Sequence, residues 1–242
     1  VEHHEYDKMD AVEDRMWWYR ALHAHALRAL EGLPDDATIL DAGCGTGGFL
    51  AKLRRAFPRA HLAGLEYFPA AARRASDKAG AQVTSGTINA LPFHDGTFDA
   101  AVSLDVLCHK AVEPAEALAE LHRVLKPGGR LLLNLPAHEW LRSAHDARVH
   151  TARRFERHGA RALLEQAGFE AVDTRHWNSL LLPLMVVQRK LLARGDAASD
   201  VQEFPRWLDA TFHTATAVEA KLIAAGLRFP AGGSLLATAI RH

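Results

Sequence analysis

The sequence predicts an α/β protein: a mostly parallel sheet with helices on both faces. Short apolar runs alternate with helical runs between residues 38 and 177. The links between them are only a few residues long, as in a wrapped parallel sheet. A glycine cluster, Gly43 to Gly48, follows the first apolar run and opens a helix.

Residues from about Asp10 to Leu30 read as one helix with Trp17, Trp18 and Tyr19 at its centre, and Pro34-Asp35-Asp36 is a turn. Thr38–Ala42 is the first strand, and a helix runs from about Phe49 to Ala56 after the glycines. His61–Glu66 is the second strand, Ala70–Ala79 the second helix of the alternation, and Gln82–Ser85 the third strand. Pro92–Thr97 is a turn, Phe98–Leu104 the fourth strand and Pro114–Val124 a helix. Lys126-Pro127-Gly128-Gly129 is a sharp turn into the strand Arg130–Leu135. A helix near Ala160–Ala167 and a strand Glu170–Trp177 continue the alternation.

Beyond Trp177 the alternation stops. Residues 178–230 have a helical pattern, and Ser234–Ile240 is a closing apolar strand after Gly232-Gly233. The chain therefore divides into an N-terminal helical lid (1–35), an α/β core (36–177), a helical insertion acting as cap or dimer element (178–230), and a final strand of the core (231–242). The run Leu180–Val187 is too short to span a bilayer and too apolar for an exposed helix, so it is expected to pack as a cap over the cleft or in a homodimer interface, with contact with a membrane-borne acceptor molecule as the runner-up.

Composition narrows the partners. Of 242 residues 48% are hydrophobic, enough for a sizeable core, and 29 basic residues balance 29 acidic ones. That neutrality argues against a nucleic acid partner, which needs a basic face. Cys44 and Cys108 have neither zinc spacing nor a disulfide framework, which fits a cytoplasmic protein. No signal peptide and no membrane-spanning run is read, so no stable membrane insertion is expected. Six of the 15 histidines fall between His109 and His158, denser than composition bias alone would give.

The glycine loop carries the first chemistry. Gly43, Gly45 and Gly48 fit the dinucleotide fingerprint between a strand and a helix, which by itself points to NAD. Asp41 at the strand end changes that reading. Its carboxylate would repel a pyrophosphate over the loop and attract a ligand carrying an ammonium group. S-adenosylmethionine has that ammonium and a sulfonium, and no phosphate. Glu66 ends the second strand, where an acid accepts bonds from ribose hydroxyls; bonds to a charged acceptor are worth about 1.5–3 kcal/mol.

The segment 36–135 resembles the core of class I S-adenosylmethionine-dependent methyltransferases of the bacterial small-molecule type. The matching motifs are Leu40-Asp41-Ala42-Gly43-Cys44-Gly45-Thr46-Gly47, Ala90-Leu91-Pro92-Phe93 with Gly96-Thr97-Phe98-Asp99, and Leu121-His122-Arg123-Val124-Leu125-Lys126-Pro127-Gly128-Gly129. The resemblance implies a seven-stranded Rossmann-like sheet whose last strand is antiparallel. It implies a cofactor site of Asp41, Gly43, Gly45, Gly47, Glu66 and Tyr67, with Thr87 and Ile88 at the adenine. Thr87 and Ile88 stand where many relatives carry an acid. Leu104 would offer its carbonyl to the ammonium, and Cys108, also where relatives have an acid, reads as packed rather than reactive.

The acceptor side follows from topology, since ligands of open α/β sheets sit beyond the carboxyl ends of the strands. The residues after the fifth strand, Pro136 to Phe155, are thereby placed over the reacting centre. S-adenosylmethionine is already activated, so the enzyme supplies alignment, water exclusion and, for a protonated nucleophile, a base. His145 or His150, beside Asp146, is the favoured base, with His109 the other source. His138, Trp140 and Arg154, together with Trp18 and Tyr19, are expected to line the acceptor pocket. The Trp17–Tyr19 aromatics read as core or lid packing, with an aromatic cage for a cation as the alternative. His145, Asp146 and His150 lack a compelling third ligand, so no metal is expected.

The expected function is methyl transfer to an O or N nucleophile of a small molecule, a secondary metabolite or isoprenoid-like acceptor, with S-adenosylhomocysteine as product. A non-catalytic cofactor-binding partner of another methyltransferase is the alternative. An NAD-dependent oxidoreductase is disfavoured by Asp41.

Overall fold

The computed structural model describes residues 3–143, 146, 150–189 and 204–242, with side chains from Tyr6 onward. The described elements are α1 (His3–Val12), α2 (Trp17–Ala29), β1 (Thr38–Ala42), α3 (Gly48–Ala56), β2 (His61–Glu66), α4 (Pro69–Ala79), β3 (Gln82–Ser85), β4 (Phe98–Leu104), α5 (Pro114–Val124), β5 (Leu125–Pro136), α6 (Arg157–Gln166), β6 (Phe169–Trp177), α7 (Leu182–Val187), α8 (Arg206–Ala224) and β7 (Ser234–Arg241).

The seven strands form one sheet in the order β3-β2-β1-β4-β5-β7-β6. Only β7 runs against its neighbours, pairing antiparallel with β5 and β6. Alternate residues of each strand face opposite layers. Leu40, Ala42 and Ala101 join a core with Leu118 and Leu121 of α5 and Leu164 of α6. Ile39, Ala100 and Val102 face the other way, onto Ala26 of α2 and Leu50 and Leu53 of α3. Each fully buried leucine contributes about 1.5–3 kcal/mol. Helices thus cover both faces, and the strand order reverses between β1 and β4.

Two expectations are corrected. The N-terminal helix is broken, because Met16 is extended (ψ 132°) between α1 and α2. No proline or glycine marks that break. It is set by partners remote in sequence: the Trp17 N–H donates to Asp209 Oδ1 of α8 (2.7 Å), and Lys78 of α4 holds Glu13 and Asp10. The second correction concerns β5, which starts at Leu125 opposite Phe98. The Lys126–Gly129 turn is a bulge inside it, after which Arg130 pairs with Ala100.

The run Leu180–Val187 divides between two environments. Leu181, Leu184 and Met185 line a cavity, while Leu180 and Val187 are exposed and do not line it. The run is thus part of the cavity wall, while Leu180 and Val187 are not covered.

Candidate functional site

The reversal of strand order leaves a crevice beyond the carboxyl ends of β1 and β4. A cavity of about 830 Å³ opens there, walled by the loops after β1, β2, β3 and β4, by α1 and α2, and by α7 and the start of α8.

One end of the cavity is acidic. Gly43 turns the chain out of β1 at φ +94°, and a Cβ there would meet Val106 Cγ2 at 2.3 Å, so only glycine fits. The Gly43 and Cys44 N–H groups both donate to the Leu65 carbonyl, tying the loop to β2 (2.8 and 2.9 Å). Asp41 is buried on the cavity wall, and its Oδ2 has no hydrogen-bond partner. Burial, then Glu66 and Glu13, push its carboxyl up to about 8. Glu66 accepts from the Gly45 N–H at Oε2 (2.9 Å) and from the Tyr6 hydroxyl and Phe68 N–H at Oε1 (2.8 and 3.1 Å). Glu13 is the third buried acid of this end, raised by burial and opposed by Lys78. A cluster of carboxylates with one unpartnered oxygen suits a cationic ligand and repels a phosphate.

Most of the expected cofactor residues meet here. Asp41, Gly43, Gly45, Glu66, Tyr67, Thr87, Ile88 and Leu104 all line the cavity. Gly47 does not. Its Cβ would strike Ala75 Cα of α4 at 2.6 Å, so it is a packing glycine at φ +91°.

The other end is mostly apolar. Trp17, Trp18, Tyr19, Leu181, Phe204 and Phe212 line it. Trp18 is edge-on to Tyr19 (5.0 Å between centroids) and stacks on Trp177 (6.1 Å). The aromatics are thus at once packed core and cavity wall.

The expected acceptor-side polar residues divide. His109, His150 and Arg154 line the cavity. His145 lies outside the described residues. His138 and Trp140 do not reach the cavity: His138 stacks on His176 and Trp140 (5.0 and 5.4 Å) and binds Glu156 through Nδ1 (3.0 Å). Trp140 is exposed. After His138 at φ +58° the chain leaves the sheet in a 3-10 turn, Glu139–Leu141, with His138 buried against His176 and Trp140 exposed, neither on the cavity wall. Asp146 does not orient His150. Its carboxylate takes the Arg154 guanidinium (2.8 Å) and the Ser143 N–H (2.8 Å). Cys108 is packed, its thiol pushed up by burial and donating to the Asp105 carbonyl (3.1 Å).

Sequence reasoning missed Asp105. It lines the cavity at φ +56°, an uncommon conformation for a residue other than glycine. The Asn134 amide donates to both its oxygens, and Trp177 Nε1 donates to Asn134 Oδ1 (2.8 Å). Burial pushes the Asp105 carboxyl up to about 7, against the pull of Asn134 and Arg154. The available signal was an acid at a strand exit, as for Asp41 and Glu66. Tyr6 and Glu13 carried no such signal.

A family model described as a methyltransferase domain matches residues 40–133. A malonyl-[acyl-carrier protein] O-methyltransferase of Dechloromonas aromatica is 35% identical over 70% of this chain and 63% of its own length. The chain spans about one third to two thirds of the length of the curated relatives it matches. A solved S-adenosylmethionine-dependent methyltransferase of Thermotoga maritima is 21% identical, with a TM-score of 0.60 over 99% of this chain and 95% of that one. The solved [4+2]-cyclase SpnF is 23% identical, with a TM-score of 0.63 over 94% and 84%.

Proposed function

From a core that has the class I S-adenosylmethionine-dependent methyltransferase fold, with residues 40–133 as its methyltransferase domain, we propose that the chain methylates an O or N nucleophile of a small, largely apolar molecule. The observation that carries this reading is the cavity itself. Its acidic end, with Asp41 Oδ2 unpartnered, runs directly into an aromatic and aliphatic end. A secondary metabolite or isoprenoid-like acceptor fits the second part.

Each residue then has a task. Glu66 holds the ribose hydroxyls, with Tyr67 over the same edge. Asp41 and the Leu104 carbonyl receive the ammonium, Gly43 and Gly45 let the backbone approach, and Thr87 and Ile88 flank the adenine. The cofactor supplies a methyl group activated on sulfur. Trp18, Tyr19 and the residues of α7 exclude water and align the acceptor. With a protonated acceptor, a base of this chain would take the proton released as the methyl group is transferred. His150 or His145 is that base in our reading, with His109 the other candidate on the cavity wall. We take the described part of the helical insertion, α7 and α8, as a cap on the core, with a dimer element as the alternative. We place the chain in the cytosol, since Cys44 and Cys108 are free and buried.

Titration calorimetry with S-adenosylhomocysteine and with NAD tests the cofactor end. Binding of the first alone is expected, and binding of NAD alone would overturn the reading. A solved cyclase shares the fold, so the fold alone does not secure methyl transfer. Turnover on a panel of apolar alcohols, acids and amines separates an enzyme from a cofactor-binding partner.

A further inference from the structure

The outer face of α7 and α8 has an unusual composition. Trp207 is 70% exposed, Leu184 48%, Leu180 44% and Val187 40%, and Val218 and Leu222 are exposed as well. Glu219 of α8 accepts from the Ser179 and Leu180 N–H groups (2.8 Å each), which ties the segment just before α7 to α8. Charge is sorted across α8. Its acids turn inward: Asp209 is bonded to Trp17 N and Arg20, and Glu219 is buried. Its exposed charges, Arg206 and Lys221, are cationic, and no exposed acid occurs among the described residues of α7 and α8.

Leu184 of α7 lines the cavity, and its neighbours Leu180 and Val187 are exposed without lining it. No described helix is long and apolar enough to cross a membrane, so such a surface can only lie on one. An apolar face rimmed by cations, with an exposed tryptophan beside an arginine, complements an anionic lipid surface. A second copy of the same face would oppose cation to cation.

We propose that this face docks on an anionic phospholipid bilayer, and, resting on the methyl-transfer reading above, that the acceptor enters the cavity from the lipid phase. Docking is independent of catalysis and is tested without an acceptor. The full chain is floated with vesicles of phosphatidylcholine, alone or with phosphatidylglycerol. It should rise with the anionic vesicles, stay behind with the neutral ones, and release as salt is raised. Arg206→Gln and Lys221→Gln should each weaken binding roughly fivefold, and Trp207→Ser should weaken it too, all with unchanged S-adenosylhomocysteine affinity as evidence of folding. Absence of anionic-vesicle binding, or wild-type binding by all three variants, would overturn the proposal. So would a stable solution dimer that Trp207→Ser dissociates, which would give the face to a second copy. Loss of homologue binding by the wild type would instead sink the cofactor reading and leave the vesicle result standing.

Discussion

The Asn134 amide donates to both carboxylate oxygens of Asp105, at 2.9 Å each, bridging the exits of the adjacent strands β4 and β5. The carboxylate is thereby held at the cavity wall in a left-handed backbone conformation. Asn134→Leu should cost about 2 kcal/mol near neutral pH, the cost of a buried acid losing its donors. The sign with pH follows from the raised value of about 7. Asp105's stability contribution is complete below its unfolded value of about 3.9 and is lost as pH rises through about 7. Without Asn134 the folded value rises further, so the deficit should grow between about pH 6 and pH 8. Urea melts at both pH values read this; a deficit independent of pH would assign Asn134 to packing alone.

Asp41 gives a second pH signature. Its folded value, pushed up to about 8 by burial and neighbouring acids, lies above the unfolded one, so its stability contribution falls away as pH rises through about 8. Asp41→Asn cannot ionise. The cofactor-free variant should gain on the wild type as pH rises toward about 9 and show no such gain near pH 4. Its S-adenosylhomocysteine affinity should drop about tenfold to a hundredfold. Thermal melts with and without that ligand, run across pH, check both halves; a variant that binds normally would remove Asp41 from the ammonium site.

Glu66→Ala and Gly47→Ala should part company. The first removes a charged acceptor on the cavity wall, so cofactor affinity should fall about tenfold to a hundredfold with modest loss of stability. The second forces a Cβ to within 2.6 Å of the Ala75 backbone at positive φ. It should destabilise by about 2–4 kcal/mol with little change in affinity where folded. Calorimetry and melts on the two proteins decide it, and the reverse pattern would restore Gly47 to the cofactor site.

His109→Ala, His145→Ala and His150→Ala, assayed singly for turnover with cofactor binding measured apart, should identify one base by a loss of about a hundredfold to ten-thousandfold. Near-full turnover in all three would leave alignment and desolvation to carry the reaction. Asp146→Ala should behave differently. It strands the buried Arg154 guanidinium and should destabilise by about 3–5 kcal/mol, a loss that Asp146→Glu partly restores.

The sheet and the acidic cofactor end were legible in the sequence because they depend on local pattern. Strand boundaries such as His61–Glu66 and Phe98–Leu104 follow from short apolar runs between turns. An acid at a strand exit is placed by the strand itself, so Asp41 and Glu66 could be located from their position in the chain. Tertiary structure alone decided what depends on partners far away. The break between α1 and α2 is made by Asp209, 192 residues beyond Trp17. Asp146 had an imidazole beside it in sequence and a guanidinium beside it in space. His138 and Trp140 follow a strand whose last residue, Pro136, lines the cavity, yet neither of them does, His138 packing on His176 instead. Residues in or next to a strand inherit the sheet's geometry, whereas those in a connection take the orientation of whatever packs against them, and no spacing rule encodes that choice.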